Sequence, residues 1–299
     1  MKCGFVSFIG RPNAGKSTLL NRLVGEKLAI VSDKPQTTRT RILGVRNYPD
    51  AQVIYLDTPG IHRPLHRMNV RMVDAARDTI GEVDVVGLVV DVTEKFGRGD
   101  RFVADMLKDV DKPVFLILNK IDLVKKPRLL PIIEEFSRAG RFAEIVPVSA
   151  STGLNIDRLE KAIIDAMPEG PALYPEDYLT DQPERVMAAE IVREKLLQFT
   201  HAEIPFSSAV IVDRFEEPAT PKDMLRLYCT IVVERETQKP IVVGRNGDMI
   251  KKIGTAAREE LERFFATKVF LDLHVRVKSD WREDDRTLGE LGVGRPGGS

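Results

Sequence analysis

The sequence predicts a doubly wound, mostly parallel α/β domain followed by a smaller α+β domain. Three observations lead there. Short apolar runs alternate with amphipathic stretches through the first half; a proline-marked segment without period interrupts the chain at residues 172–183; and beyond it the order becomes helix, two strands, two helices and a strand. At 299 residues the chain is long enough for two cores, and 43% hydrophobic with 30% charged residues excludes a disorder-dominated class. The 45 basic residues balance 45 acidic ones, so bulk charge gives no support to nucleic-acid binding and any such site must be local. Cys3 and Cys229 are too few for a disulfide framework or a zinc site, which suits a reducing compartment. No basic and apolar leader pattern opens the chain and no run reaches ~20 apolar residues, so a cytoplasmic location is expected.

The first apolar run, residues 3–9, reads as a strand, and the stretch from Thr18 reads as a helix. Between them, Gly10-Arg-Pro-Asn-Ala-Gly15-Lys16-Ser17 has the form of a loop that cradles nucleoside triphosphates. Gly10 and Gly15 let the backbone turn its N–H groups inward, and the helix start at Lys16 adds its positive end. Lys16 is expected to reach the β- and γ-phosphates, with Ser17 holding Mg²⁺ and Asn13, Ala14 and Thr18 completing the phosphate contacts. The strand at 52–56 runs into Asp57-Thr-Pro-Gly60, placing a carboxylate near the metal and a glycine N–H where a γ-phosphate would sit. The strand at 113–118 leads into Asn119-Lys-Ile-Asp122, whose carboxylate can accept two N–H donors from the guanine edge; adenine has no such donor pair. After 145–148 comes Ser149-Ala150, placed to offer a backbone N–H to guanine O6.

These motifs, in this order, resemble the P-loop GTPase domain of the translation-factor-related class, over residues 10–150. The resemblance implies that Asp122 reads guanine N1 and N2, Asn119 braces loop and base, the Lys120 stem covers the ring, and Asp57 holds Mg²⁺ through water. Gln36-Thr-Thr-Arg39 resembles the first switch, where Thr38 rather than Thr37 is expected to join the metal. Ile61 stands where Ras-like GTPases carry the glutamine that orients water, so slow turnover is expected. In related GTPases an asparagine at the position of Asn13 helps bind a potassium ion in place of an arginine finger, which implies that role here. The catalytic set is thus Lys16, Thr38, Gly60 and Asn13, with His62 a weaker candidate for positioning water.

A helix at 155–164 closes this domain, expected over residues 1–172, with a linker at 173–183. In the second domain, expected over 184–285, residues 186–199 read as a helix, 209–215 and 225–233 as strands, 256–265 as a helix and 269–277 as a last strand. Gly244-Arg-Asn-Gly247 stands after the apolar run 241–243. This arrangement resembles a type II KH RNA-binding domain, in which a Gly-x-x-Gly turn between helices clamps a single strand. Gly244 and Gly247 permit close approach of phosphates, Arg245, Lys251 and Lys252 supply charge, Asn246 completes the turn, and Ile250 with Ile253 are expected to floor the base site. Residues 239–278 hold nine basic and five acidic residues, a usable patch. Aromatic interleaving is poor, so stacking on rings is not the main mode expected. The tail, 286–299, is expected to be flexible.

Together with Tyr174-Pro-Glu-Asp-Tyr178 and Val275-Arg-Val-Lys-Ser-Asp-Trp281, these features make nearly the whole chain resemble the Era family of bacterial GTPases. That resemblance implies a GTP-hydrolysing factor for 30S subunit assembly, with Mg²⁺, potassium and GTP/GDP at one site and the 3′ end of 16S rRNA at the other. It also implies peripheral association with the inner membrane, although no basic amphipathic segment supports direct anchoring; a monomer is expected. The competing reading is a GTP-gated protein-interaction or membrane-recruited switch that never touches RNA. In either case γ-phosphate and Mg²⁺ would order residues 32–42 and 60–75.

Overall fold

The computed structural model describes residues 1–34, 37–61, 66–201, 204–220 and 223–293. It divides into two compact units, one holding Met1–Val31 and Gln36–Asp181 and the other Gln182–Val293. Gln36, His62 and the end of the tail lie outside the described residues.

The first unit is a six-stranded sheet in the order β2-β3-β1-β4-β5-β6, built from β1 (Lys2–Ile9), β2 (Ile42–Tyr48), β3 (Ala51–Asp57), β4 (Val85–Asp91), β5 (Val114–Asn119) and β6 (Glu144–Pro147). All neighbours are parallel except β2, which runs against β3. The continuous apolar runs of β1, β4 and β5 are those of strands buried on both faces, which helices on each side provide. Helices α1 (Lys16–Val24) and α5 (Ile156–Ala166) cover one face through Leu19, Leu23, Leu159 and Ile163. Helices α2 (Arg67–Glu82), α3 (Arg98–Asp105) and α4 (Leu129–Ala139) cover the other through Ala76, Ile80, Val103 and Phe136. The register sets Phe8 of β1 against Asp57 of β3, so the strand that leads into the glycine loop and the strand that ends in Asp57 finish side by side.

The segment expected as a free linker is pinned to this unit. Buried Gln52 accepts from the backbone N–H groups of Leu173 and Tyr174 at 2.8 and 2.9 Å and donates to Tyr174 O at 2.9 Å. Along the outer strand β2, Val45 N donates to Leu179 O and Thr180 Oγ1 to Leu43 O. The chain through 181 therefore covers a sheet edge whose polar groups would otherwise be open.

The second unit carries α6 (Glu184–Phe199), a short α7 (Ile204–Ser207), β7 (Ser208–Glu216), β8 (Leu225–Val233), α8 (Lys239–Val243), α9 (Asp248–Phe264), β9 (Val269–Val277) and α10 (Asp285–Glu290). Its three-stranded sheet runs β7-β8-β9, antiparallel then parallel. The core joins Ile191, Val192 and Leu196 of α6 and Ile253, Ala257 and Leu261 of α9 to alternate residues of β8. Residues 241–243 end the helix before the Gly-x-x-Gly turn, and one local expectation changes: α9 is one continuous helix from Asp248 rather than a helix beginning at 256. Residues expected as the start of the flexible tail form α10, capped by the Asp284 carboxylate accepting from Arg286 N and Thr287 N. Lys278 beside Asp284 holds that carboxyl down at about 2. Leu288 and Val293 are buried, which is why the segment docks.

Candidate nucleotide and RNA sites

The phosphate loop is shaped by three residues with left-handed backbones: Gly10 at φ 153°, Asn13 at 63° and Gly15 at 91°. A Cβ on Gly10 would lie 2.3 Å from Val89 O, and one on Gly15 would lie 2.2 Å from Asn119 Nδ2, so both positions exclude a side chain as well as requiring the backbone. Ala14 is buried in the loop, and Thr18 sits in the first turn of α1. Lys16 is buried, its Nζ 3.4 Å from Gly10 O and 3.1 Å from Arg11 O, inside the curl of the loop. Burial lowers its pKa while the Asp57 charge acts in the opposite sense.

Ser17, Thr38 and Asp57 meet at one point. Ser17 Oγ lies 2.7 Å from Thr38 Oγ1 and donates to Asp57 Oδ2 at 2.5 Å, and Thr38 Oγ1 donates to the same oxygen at 3.2 Å. Asp57 is fully buried, and its Oδ1 has no protein hydrogen-bond partner. Burial raises its pKa, opposed by Lys16, Ser17 and Thr38. A buried orphan carboxylate oxygen beside two hydroxyls is a hard-oxygen donor set that fits Mg²⁺. Gly60 closes against the loop: a Cβ there would be 2.8 Å from Pro12 Cα, and the next amide, Ile61 N, donates to Gly10 O at 2.9 Å. The Ile61 side chain is buried in the core with Ile9 and Leu56, so it plays no part in ordering water.

The base-reading elements are tied to the phosphate loop by one side chain. Asn119 Nδ2 donates to Ala14 O at 2.9 Å, and its Oδ1 accepts from Ala150 N at 3.0 Å, linking three segments more than thirty residues apart in sequence. Lys120 adopts a left-handed backbone, φ 67°, and its Nζ bonds Asp91 Oδ2 at 2.5 Å; this pair holds the lysine stem at the loop. Asp122 is exposed, open to a base, and Ser149 is buried with its Oγ accepting from Thr152 N. Sequence reading missed Asp91 and Arg22. From α1, Arg22 donates to Ala150 O at 3.0 Å and Ser151 O at 2.6 Å, bracing this loop, whose Ser149 and Ala150 N–H groups, expected to reach guanine O6, are instead taken by Leu154 O and Asn119 Oδ1. Neither has a motif signal, since each acts only through contacts across the fold.

In the second unit Gly244 (φ 78°), Asn246 (53°) and Gly247 (83°) form a tight turn between α8 and α9, closed by Gly247 N donating to Gly244 O at 3.3 Å. A Cβ on Gly244 would lie 2.6 Å from Met249 N, whereas one on Gly247 meets nothing within 4 Å. The first glycine is thus needed for packing, and the second faces open space where a backbone can approach. Arg245 and Asn246 are exposed at the tip. Beside the turn runs a groove of about 710 Å³ between α9 and β9, lined by Ile250, Lys251, Gly254, Arg258, Leu271 and Leu273, among others. That volume is in the range of pockets that enclose organic ligands. One expectation is corrected here: Ile253 is fully buried in the core rather than flooring the groove. Lys252 is exposed but turned off the groove lining, its Nζ 4.3 Å from the centroid of Phe199 on α6. The helical period explains both: 250, 251, 254 and 258 share one face, and 252 and 253 turn away from it.

Comparison with known proteins places both halves. Residues 5–120 match the model of a family described as 50S ribosome-binding GTPases, and residues 203–282 match the KH domain. The chain is 50% identical over 291 residues to the GTPase Era of Geobacter metallireducens, covering 97% of each, and 48% identical over 292 residues to that of Heliobacterium modesticaldum, covering 98% of this chain and 97% of the relative. Among solved structures it is similar to Aquifex aeolicus Era bound to GDP and AlF4⁻, with a TM-score of 0.94, and to Era in complex with MgGDPNP and nucleotides 1506–1542 of 16S ribosomal RNA, with a TM-score of 0.95. Each comparison has 42% identity and covers 99% of this chain and 100% of the other.

The exposed Asp122 carboxylate generates a base-swap prediction. Asp122→Asn replaces an acceptor of two N–H donors by one acceptor and one donor. It should weaken GTP binding about 100-fold, about 3 kcal/mol, and restore tight binding of the xanthine nucleotide, which a simple folding defect would not do. Titration with both fluorescent nucleotides measures this.

Proposed function

The chain belongs to the Era family of GTPases, and on that premise we propose that it couples GTP hydrolysis to binding of the single-stranded 3′ end of 16S rRNA during small-subunit assembly. The family model described by the large subunit covers the nucleotide-binding half alone, whereas the relative held with 16S rRNA is similar over the whole chain. The observation that carries the reading is the meeting of Ser17, Thr38 and Asp57 at one buried point.

In this reading Ser17, Thr38 and Asp57 hold Mg²⁺, which supplies charge neutralisation for the β- and γ-phosphates. Lys16 and the inward N–H groups of the loop hold the phosphates, and the Gly60 N–H meets the γ-phosphate. Thr38 and Gly60 each lead a loop, so loss of the γ-phosphate removes the reason for both to stay inward. Burial of Ile61 leaves water positioning to another group, and Asn13, on its left-handed backbone at the mouth of the loop, is suited to help hold a potassium ion there. Turnover is then slow by itself. The Gly244–Gly247 turn clamps an RNA backbone, Arg245 and Lys251 supply charge, and the apolar wall of Ile250, Leu271 and Leu273 seats bases. The chain works as a cytoplasmic monomer at the ribosome, with any membrane contact peripheral; no helix among the described residues is long and apolar enough to cross a membrane.

Gly247 separates this reading from a protein-interaction switch. Gly247→Asp puts a carboxylate into the open space over the turn and should lower affinity for the rRNA fragment by 100-fold or more while GTP hydrolysis is unchanged. Gly247→Asn, which tolerates the left-handed backbone and is neutral, should cost less than about tenfold. Equal binding by Gly247→Asp and the parent protein would reject RNA as the ligand of the turn. Steady-state phosphate release should be faster in potassium than in sodium buffer, and Asn13→Ala should erase the difference; equal rates in the parent protein would remove the potassium role.

A further inference from the structure

A second exposed feature of the KH unit adjoins the groove described above and extends beyond it. On the sheet face opposite α6 and α9, β7 and β8 bring Arg214 beside Tyr228, and β8 and β9 bring Arg226 beside Phe270, each pair directly opposed in the strand register. The Arg214 guanidinium lies 5.0 Å from the Tyr228 ring centroid and that of Arg226 lies 5.9 Å from the Phe270 centroid, while the two rings are 5.8 Å apart. The four side chains occupy two neighbouring rungs of the sheet, Arg214–Tyr228–Asp272 and Glu216–Arg226–Phe270, with Arg214 ion-paired to Glu216. Phe270 is 40% exposed and the Arg214 side chain 66% exposed, an unusual position for a large ring on a sheet with a well-formed core beneath it.

Phe270 also lines the groove between α9 and β9, so this cluster and the groove share a residue at the β9 edge. An RNA strand leaving the groove across that edge passes from an apolar wall directly onto ring and guanidinium planes. Such planes accept any base by stacking, and phosphates between bases can draw on the Arg226 guanidinium and compete with Glu216 for that of Arg214. A ligand without π faces and repeated negative charge would use only part of this set. We propose that the Arg214–Tyr228–Phe270–Arg226 cluster is a stacking platform for the single-stranded RNA nucleotides that lie just outside the KH groove. The proposal rests on the groove being the RNA site. It adds a second segment of contact that extends the bound length and tolerates varied bases.

The test uses the full chain and two single-stranded probes from the 3′ end of 16S rRNA: a short one of about six nucleotides that the groove alone accommodates, and the same probe lengthened by about four nucleotides at either end. Fluorescence anisotropy is measured for the parent protein, for the double variant Arg214→Gln/Arg226→Gln and for Tyr228→Leu. The platform requires one of the lengthened probes to bind the parent protein about tenfold more tightly than the short one, and both variants to lose that gain while keeping short-probe affinity and the parent's thermal midpoint. No gain from lengthening at either end, retention of the gain in both variants, or an equal loss for short and long probes would each overturn it. Gly247→Asp serves as the separate control: if it leaves short-probe binding intact, the groove reading fails, a result distinguishable from failure of the platform alone.

Discussion

A fully buried carboxylate governs the nucleotide half of this protein. Asp57 ends β3 in a place where water cannot solvate it, and burial pushes its pKa up. Keeping such a charge is costly unless it is paired and hydrogen-bonded, so the fold surrounds it with Ser17, Thr38 and the charge of Lys16. These partners come from the phosphate loop and the first switch. The electrostatic need of one side chain thereby gathers the groups proposed to handle a metal and phosphates, and the parallel register of β1 with β3 makes the gathering possible. One oxygen, Oδ1, is left over, and that remainder distinguishes the point from a satisfied core cluster and suits the Mg²⁺ site proposed here.

The same economy recurs at the base. Asn119 uses both ends of its amide on backbone groups, Ala14 O and Ala150 N, and so sets the distance between the glycine loop and the Ser149–Ala150 loop. The group proposed to select the base, Asp122, stays exposed while its neighbours are pinned. Rigid bracing beside an open recognition group is preorganisation: the loop is positioned before ligand arrives, and binding energy is not consumed in ordering it.

Much of this was legible in the sequence because the motifs combine local backbone demands with chemistry. Glycines at 10, 15, 244 and 247 mark turns that a Cβ or a right-handed backbone would spoil, and apolar runs at 3–9 and 113–118 read as buried strands for the period they show. What stayed hidden depends on contacts between distant segments. Gln52 looks like a polar break in a strand until Leu173 and Tyr174 arrive to use it, so the stretch after 172 reads as a free linker. Residues 285–293 look polar because only Leu288 and Val293 carry their docking. Lys251 and Lys252 look equivalent as neighbours, yet the helical turn sends one to the groove and the other to Phe199. Tyr228 and Phe270 are forty-two residues apart, and no local reading of aromatic content could pair them.

If the buried carboxylate cluster is what links nucleotide state to RNA, Thr38 is the part of it that can report the γ-phosphate. The most direct measurement is the affinity of the full chain for the 16S rRNA 3′-end fragment with a non-hydrolysable GTP analogue and with GDP, in the parent protein and in Thr38→Ala. The account predicts a difference between the two nucleotides of about 1–3 kcal/mol in the parent protein, in a consistent direction, and its collapse in Thr38→Ala with GDP-state affinity unchanged. Equal RNA affinity in both nucleotide states of the parent protein, or a difference that survives the loss of Thr38, would contradict it.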